Sequence, residues 1–427
     1  MTEKIRLLYD AAYICNILDK NSHRSGIFFV AYNVLLELLK HDEFDVWLYA
    51  AGDEARLKEV INKYKEFAGC KIYKSTFLEK QVNFWGDLKY KNKVNKQNKL
   101  LRLLIIIVWN IIRKINEIYL KLNCKNLYND IDVYFSPAKA VPDVILNKKN
   151  IKRYTILHDL IPFINGTRKG ASQKWLFKLI DSINKNDYYF ANSEYTKSDF
   201  IKYVPAINPD NIKVIPLSTG MNYEKINNEN VINKVKEKYK IPFDKKYVFS
   251  LCNLDPRKNL VFAVKNFLKF AEKNNLDDFV IVLGGSGWKD FLPLLEKEIS
   301  NLGEHQNKII RIGYVDDEDM SALYSGAEMF VCPSLYEGFG IPVLEAMKCG
   351  LPVICSNVTS LPEVIGDCGI QINPHSDEEL IAALEKMYYD RNFRAECIEK
   401  GIKRAKLFSW DACGKVITDK IKSDTVS

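Results

Sequence analysis

Short runs of β-branched and aromatic residues alternate with longer amphipathic stretches along most of the chain. This alternation predicts parallel β-strands joined by crossover helices, the pattern of an α/β fold. In the first half the predicted strands are Ile5–Tyr9, Asp45–Tyr49, Val133–Ser136, Tyr154–His158, Tyr188–Asn192 and Ile212–Pro216. In the second half they are Tyr247–Leu251, Phe279–Leu283, Ile309–Ile312, Met329–Pro333 and Pro352–Ser356.

A polar stretch rich in Asn and Lys follows the last strand of the first half and ends near Pro242. We place a domain boundary there, near Thr219, and predict a first domain over residues 1–218 and a second over 219–407. No internal sequence repeat is visible, so the two halves share an architecture but not residues. Residues 408–427 are predicted to form a last helix, anchored by Trp410, that packs back on the first domain.

Composition narrows the class of protein only a little. The 427 residues are 47% hydrophobic and 27% charged, which is typical of a globular protein. A net charge of +8 is compatible with anionic donors, a lipid surface or nucleic acid and selects none of them. Ten cysteines without a Cys-x-x-Cys pair favour buried thiols over disulfides or zinc. The N-terminus leads directly into a strand, so we expect a cytoplasmic protein.

The segment Lys89–Lys114 combines a run of lysines with a long apolar stretch. Five lysines without an acid, at positions 89, 91, 93, 96 and 99, precede a long aliphatic run that contains Arg102 and Trp109. The run is shorter than the roughly 20 apolar residues of a spanning helix. Two interpretations remain open: a buried helix of the first domain, or an interfacial helix that docks on an anionic membrane surface.

The strongest chemical signal is the stretch from Tyr336 to Met347, between two predicted strands. Gly338 and Gly340 leave backbone N–H groups unobstructed at a helix N-terminus, where the helix dipole favours an anion. Glu337 and Glu345 bracket this feature and suit paired hydrogen bonds from sugar hydroxyls. The alternative interpretation is that the glycines only form a turn and that Glu345 only stabilises the helix N-terminus.

This stretch resembles the signature of retaining glycosyltransferases of the GT-B fold, in which seven residues separate two glutamates and Gly-Phe-Gly follows the first. Leu254–Asn259 resembles the family's phosphate-binding turn, and Ser360–Val364 is also similar. The likeness is looser in the first half, at His158–Pro162 and Ser193–Lys197. It implies an α/β fold of two Rossmann-like domains with parallel sheets that face each other across a cleft.

The resemblance also implies roles for residues of the second domain. Arg257 and Lys258 would neutralise the donor diphosphate and support the departing nucleotide. Glu345 would bind the ribose, and Glu337 would hold hydroxyls of the transferred sugar and act with the two cations in catalysis. Backbone N–H groups of Gly338, Phe339 and Gly340 would donate to sugar and phosphate.

In the first domain, His158 and Asp159 would face the donor sugar, with His158 in a catalytic role. Gly26 would let the backbone approach a phosphate, although the loop before it carries fewer glycines than is usual in the family. Retaining transfer in this family lacks an obvious protein nucleophile, so the departing phosphate is expected to take the acceptor proton. No cofactor and no metal are expected, because Arg257 and Lys258 supply the positive charge and the two Asp-x-Asp pairs, at 130–132 and 317–319, are poorly placed.

Other classes of protein fit the sequence less well. The glycine cluster Gly284–Trp288 lacks the third small residue of a dinucleotide fingerprint, which disfavours an NAD enzyme. A sugar-nucleotide epimerase and a non-catalytic subunit on a transferase scaffold stay as alternatives. Dispersed basic residues disfavour nucleic acid. The family likeness points to surface polysaccharide synthesis, with GDP-mannose favoured over UDP-hexoses and a glycan or lipid-linked acceptor.

Overall fold

The chain divides into two compact units in its computed structural model. The first unit comprises Met1–Asn192, Lys197–Ile215 and Trp410–Ser427, and the second comprises Ser193–Thr196 and Pro216–Ser409. The described residues are 3–18, 26–51, 53–73, 76–94, 99–123, 127–164, 174–252, 255–285, 293, 295–298, 300 and 307–425.

The first unit contains a parallel seven-stranded sheet. Its strands are β1 (Ile5–Asp10), β2 (Phe44–Tyr49), β3 (Lys71–Ile72), β4 (Val133–Ser136), β5 (Lys152–Leu157), β6 (Tyr188–Ala191) and β7 (Ile212–Val214). They lie in the order β3-β2-β1-β4-β5-β6-β7. The strand order reverses between β1 and β4, as in Rossmann-like folds. All six predicted strands are confirmed within two residues at either end, and β3 is additional.

The second unit repeats this topology with six parallel strands. They are β8 (Lys246–Leu251), β9 (Phe279–Gly284), β10 (Ile309–Gly313), β11 (Met329–Cys332), β12 (Val353–Ser356) and β13 (Gly369–Ile372). The order is β10-β9-β8-β11-β12-β13, with the reversal between β8 and β11. The predicted α/β class with two Rossmann-like parallel sheets is confirmed.

Helices cover both sheets, which explains why the central strands are apolar along their whole length. Strands β4, β9, β11 and β12 are buried at every residue. The helices up to the second sheet are α1 (Gly26–Leu39), α2 (Glu54–Lys63), α3 (Phe77–Val94), α4 (Lys99–Leu122), α5 (Asp143–Leu146), α6 (Ile161–Ile164), α7 (Lys174–Ser182), α8 (Glu194–Tyr203) and α9 (Glu229–Lys238). Those that follow are α10 (Leu260–Lys273), α11 (Met320–Ser325), α12 (Ile341–Lys348), α13 (Leu361–Ile365), α14 (Asp377–Tyr389), α15 (Arg391–Ala405) and α16 (Trp410–Thr425).

The last helix, α16, packs within the first unit. Gly414 lies against the side chain of Glu37 in α1, where a larger residue would clash. The hydroxyl of Tyr154 in β5 donates a 2.7 Å hydrogen bond to Asp424. Close backbone packing and this bond hold the end of the chain on the first sheet.

Helices α3 and α4 pack against each other, and α4 has two contrasting faces. Ile105 and Asn116 are buried, whereas one stripe of large apolar side chains, spaced three or four residues apart, is 46–79% exposed. We call this stripe the outer face of α4; it consists of Leu100, Leu103, Leu104, Ile107, Ile111, Ile115, Ile118 and Leu122. The expectation of a buried helix is therefore wrong for this face. No helix among the described residues is long and apolar enough to cross a bilayer.

Two of the five lysines at positions 89–99 contact other side chains of the protein. Lys91 pairs with Asp87 one helical turn earlier, at 2.7 Å, and the ammonium of Lys89 lies 3.6 Å from the ring centre of Trp109. Lys99 begins α4 and is exposed. Lys96 and the side chain of Lys93 lie outside the described part of the chain.

Candidate active site

The candidate site of the second unit lies where the order of its sheet reverses. β8 and β11 are neighbours there, and the loops that leave their carboxyl ends carry the predicted donor residues. A single 3₁₀ turn, Pro256–Lys258, follows β8, and the loop 333–340 joins β11 to α12. Open α/β sheets bind ligands at this position.

Arg257, Lys258 and Glu337 form one ionic cluster. The Lys258 ammonium donates to Glu337 Oε1 at 2.5 Å, and the Arg257 guanidinium donates to Glu337 Oε2 at 3.1 Å and to the Tyr336 carbonyl at 2.8 Å. The amide of Leu335 donates to the Arg257 carbonyl at 2.7 Å, which ties the two loops together. The structure thus joins residues that lie 79 and 80 positions apart in the sequence.

Lys258 and Glu337 are ionised although both side chains are buried. Burial alone would lower the pKa of Lys258, but the charge of Glu337 outweighs it, and the pKa is raised. Burial would likewise raise the pKa of Glu337, but Lys258 and Arg257 hold it below its usual value. Arg257 also pairs with Asp255, whose Oδ2 lies 3.5 Å from the guanidinium Nε, so two carboxylates balance the two cations.

Two carbonyl groups of the loop that begins at Glu337 face one hydroxyl group. The Ser360 hydroxyl lies 2.9 Å from the carbonyl oxygens of both Glu337 and Phe339. Gly340 precedes α12 with φ at 111°, and a Cβ there would lie 2.8 Å from Leu361, so this position requires glycine. The amides of Gly338, Phe339 and Gly340 donate to no described residue, which leaves three donors at the N-terminus of α12.

Glu345 lies one turn into α12 and is buried against two tyrosines. Tyr324 donates a 2.8 Å hydrogen bond to Glu345 Oε2, and Tyr223 donates a second bond to the carboxyl group. Burial raises the pKa of Glu345 to about 7, and the two tyrosine bonds limit this rise. The group therefore exchanges its proton close to neutral pH.

His158 directly follows β5 in the first unit and is buried. Its Nε2 lies 2.7 Å from the carbonyl oxygen of Pro137. Because a carbonyl only accepts, Nε2 carries the proton and Nδ1 is the basic nitrogen. Burial lowers the pKa of His158 to about 4, although the carbonyl opposes this shift, so the ring is neutral at pH 7.

Asp159 and Gly26 both lie at the start of a helix in the first unit. Asp159 Oδ1 accepts a 3.0 Å hydrogen bond from the amide of Ile161 and so stabilises the start of α6. Gly26 is the first residue of α1, and a Cβ added there meets nothing within 4 Å, so no steric contact requires glycine. Residues 19–25, Leu254 and residues 286–288 of the quoted motifs lie outside the described part of the chain.

Some residues of the site gave no signal in the sequence. Tyr223 and Tyr324 donate hydrogen bonds to Glu345 that oppose the rise of its pKa, and Thr359 Oγ1 accepts a 3.1 Å hydrogen bond from the amide of Glu337. Only the general rule that a buried carboxyl needs hydrogen-bond donors could have pointed to them. The nine cysteines that the structure describes are free thiols, and its described residues contain no group of three His, Cys, Asp or Glu side chains able to hold a metal.

Comparison with known proteins agrees with this geometry. Residues 231–404 match the family model described as "Glycosyl transferases group 1". O-antigen chain mannosyltransferase B of Escherichia coli is 38% identical over 181 residues, which cover 42% of this chain and 46% of that protein. Serotype-specific mannosyltransferase WbdA of the same organism is 29% identical over 263 residues, or 61% of this chain and 32% of WbdA. The chain thus spans less than half the length of these relatives.

Two solved structures share the whole architecture at low identity. A glycosyltransferase from Rickettsia africae has a TM-score of 0.64 and 17% identity, with 100% of both chains covered. HepE of Anabaena, in complex with UDP and glucose, has a TM-score of 0.63 and 16% identity, with 98% of this chain and 100% of that chain covered. The chain therefore has the GT-B fold and carries a glycosyl transferases group 1 domain that resembles those of bacterial mannosyltransferases.

Proposed function

We propose that the chain is a glycosyltransferase that moves a hexose from a nucleotide-diphosphate sugar to a glycan or lipid-linked glycan in surface polysaccharide synthesis. The observation that carries the proposal is the cluster of Arg257, Lys258 and Glu337 beside the three amide donors that precede α12. Mannose is the favoured sugar and GDP-mannose the favoured donor, because the relatives are named O-antigen mannosyltransferases; a UDP-hexose is the second candidate.

The cluster suggests how the donor would be held. A diphosphate brings two negative charges, so the two cations would move their hydrogen bonds from Glu337 to phosphate oxygens. Glu337 would then accept hydrogen bonds from hydroxyls of the transferred sugar. Negative charge grows on the phosphate as the glycosidic bond breaks, and fixed cations and amide dipoles stabilise that charge without reorganising.

The remaining residues keep their proposed roles within this reaction. Glu345 accepts hydrogen bonds from the ribose hydroxyls, and Gly26 and Asp159 assist donor binding. His158 contacts the transferred sugar as a neutral ring. The transfer retains the anomeric configuration, needs no metal, and passes the acceptor proton to the departing phosphate.

An anionic membrane surface is the partner that we propose for α4. Its outer face is apolar over most of the 24-residue helix, and the exposed Lys99 and Lys114 lie beside it. Interfacial helices combine an inserted apolar face with basic flanks in this way. A protein so docked at the inner face of the cell membrane would meet a lipid-linked acceptor directly.

The donor is tested with GDP-mannose, UDP-glucose, UDP-galactose and the free nucleotides GDP, UDP and ADP. We expect GDP and GDP-mannose to raise the melting temperature most, and GDP-mannose to be slowly hydrolysed with release of α-mannose, visible by NMR. Binding without nucleotide release, in the presence of mannan acceptors, would instead indicate the non-catalytic alternative. Release of β-mannose would contradict retention.

A further inference from the structure

Three buried hydroxyl groups hold the backbone of the loop that precedes α12. The carbonyl of Gly338 accepts hydrogen bonds from Ser193 Oγ at 2.9 Å and from Thr196 Oγ1 at 3.2 Å. The carbonyls of the residues on either side of it both lie 2.9 Å from the Ser360 hydroxyl. The three hydroxyl-bearing residues are at most 2% exposed, and all belong to the second unit. Three consecutive carbonyls are therefore bonded to side chains that water does not reach.

These carbonyls determine the direction of three amides. Every peptide bond that the structure describes is trans, so each N–H points away from the C=O of its own peptide unit. The amides of Gly338, Phe339 and Gly340 each share a peptide unit with one of the three carbonyls. They therefore point away from the hydroxyl groups. These are the same three amides that are proposed to bind the donor.

The short segment that carries Ser193 and Thr196 is itself held in place. Ser193 Oγ accepts a 3.0 Å hydrogen bond from the amide of Thr196, as the capping residue of a helix does. The carboxylate of Glu363, in α13, accepts from the amides of Glu194 at 2.7 Å and Tyr195 at 2.8 Å. The first three amides of α8 are thus satisfied, although a helix start leaves them without partners of its own. The two hydroxyls that bond to the loop therefore lie on a fixed backbone.

We infer that Ser193, Thr196 and Ser360 are positioning residues of the proposed transfer, and that they orient the three amides towards the donor diphosphate. The inference rests on the proposed function and adds residues that act through the loop without touching the donor. An amide stabilises the charge that grows on the departing phosphate only if it already points there when the bond breaks. Loss of a hydroxyl lets its peptide unit rotate, so the reaction slows. This role accounts for the motifs Ser193–Lys197 and Ser360–Val364, which have no other function in the transfer.

The test is steady-state hydrolysis of the preferred donor by the full chain and a matched pair of variants. Thr196→Val keeps the shape of the side chain and removes the hydroxyl, whereas Thr196→Ser keeps the hydroxyl and removes a methyl group. Thr196→Val should lower kcat roughly tenfold, with a smaller rise of KM, because the amides act most strongly on the transition state. Thr196→Ser should keep the kcat of the wild type. Ser360→Ala is a second, independent variant and should lower kcat as Thr196→Val does.

Thr418→Val is the control for stability. Thr418 is 1% exposed, and its hydroxyl donates to the Lys415 carbonyl within α16 at 3.2 Å. This variant should lower the melting temperature as Thr196→Val does and leave kcat unchanged. An unchanged kcat in Thr196→Val and Ser360→Ala, or an equal loss of kcat in Thr196→Ser or Thr418→Val, would overturn the inference. With an active wild type these results refute this inference alone, whereas a wild type that hydrolyses no donor refutes the proposed function on which it rests.

Discussion

The ammonium of Lys258 lies 2.5 Å from Glu337 Oε1, and both side chains are more than nine-tenths buried. Burying two charges removes both from water, and replacing such pairs with apolar residues is often neutral or stabilising. This pair lies where the order of a parallel sheet reverses, so we interpret it as part of a ligand-binding site rather than as a device that stabilises the fold. Its arrangement leads to two predictions about variants.

Glu337→Gln should be destabilising and nearly inactive. The variant leaves the buried Lys258 ammonium without its carboxylate, and breaking a buried pair in this way costs about 3–5 kcal/mol. Turnover should fall roughly tenfold or more, because a charge-assisted hydrogen bond to the sugar is lost. Urea unfolding and a donor-hydrolysis assay measure the two effects. Glu298→Gln, which breaks the exposed pair with Lys265, is the control and should change neither. Near-normal turnover in Glu337→Gln would refute the assignment.

Arg257→Gln should lower kcat far more than it raises KM. Its guanidinium is proposed to act on the departing phosphate, and such an interaction strengthens as charge develops in the transition state. Steady-state kinetics with the preferred donor separate the two parameters. Arg311→Gln, at the exposed pair with Glu296, serves as the control. A raised KM with unchanged kcat would mean that Arg257 binds donor and transition state alike.

The sequence was sufficient to predict the central strands but not the edges of the sheets. Strands such as Val133–Ser136 are fully buried and give uninterrupted apolar runs. Lys71–Ile72 and Gly369–Ile372 were missed because edge strands are short and partly exposed, so their residues show neither a continuous nor a clearly alternating pattern. The predicted strand at Pro352 begins one residue later, because proline has no N–H to donate to a sheet.

The site residues could be predicted as a motif but not as an electrostatic cluster. Glu337 and Glu345 stand out because glycines and a helix start lie between them. That Lys258 and Arg257 bond to Glu337, and that Tyr324 bonds to Glu345, depends on the pairing of β8 with β11 and on the packing of α11. Distances of this kind are properties of the tertiary structure, and a local pattern contains no information on them.

Nucleotide binding should strengthen as the pH rises from about 6 to about 8. The pKa of Glu345 is raised to about 7, and the ionised form is the better acceptor for ribose hydroxyls. The same shift has the opposite effect on folding. A pKa above the unfolded value stabilises the protein fully below pH 4.5, and this contribution is lost as the pH rises through 7. Titration of GDP at several pH values measures the first effect.

Two variants check this pH dependence. Glu345→Gln cannot ionise and should bind nucleotide weakly at every pH in this range. Tyr324→Phe removes a hydrogen bond that lowers the pKa of Glu345, so the midpoint should move to higher pH. If Glu345→Gln retains the pH dependence of the wild type, another group is responsible for it.

Activity should survive EDTA. Arg257 and Lys258 are proposed to supply the charge that a divalent cation supplies elsewhere. Three of the four aspartates in the Asp-x-Asp pairs are engaged in other contacts: Asp130 pairs with Arg6 at 3.0 Å, Asp132 accepts from the Arg6 amide at 2.8 Å, and Asp319 pairs with Lys238 at 2.5 Å. Donor hydrolysis is measured with EDTA and after addition of Mg²⁺ or Mn²⁺. Loss with EDTA and recovery with either metal would show that the reaction depends on a metal.

The outer face of α4 should bind anionic vesicles. In a co-sedimentation assay with phosphatidylglycerol vesicles, the wild type should pellet at low salt, because lysines attract the surface and inserted apolar side chains hold the helix there. Leu104→Ser, Ile107→Ser and Ile111→Ser, made together, should remove the part of the binding that survives high salt. These side chains are 46–53% exposed, so the fold should tolerate the change.

The matched control for this experiment replaces exposed apolar residues far along the chain. Phe243→Ser with Leu407→Ser removes side chains that are 60% and 64% exposed in the second unit, and this double variant should pellet like the wild type. Lys91→Gln with Lys99→Gln should weaken binding only at low salt, since charge attraction is screened beyond about 10 Å at 0.1 M salt. A wild type that stays in the supernatant at low salt would contradict docking. A glycan acceptor that is not attached to a lipid would then be the better candidate.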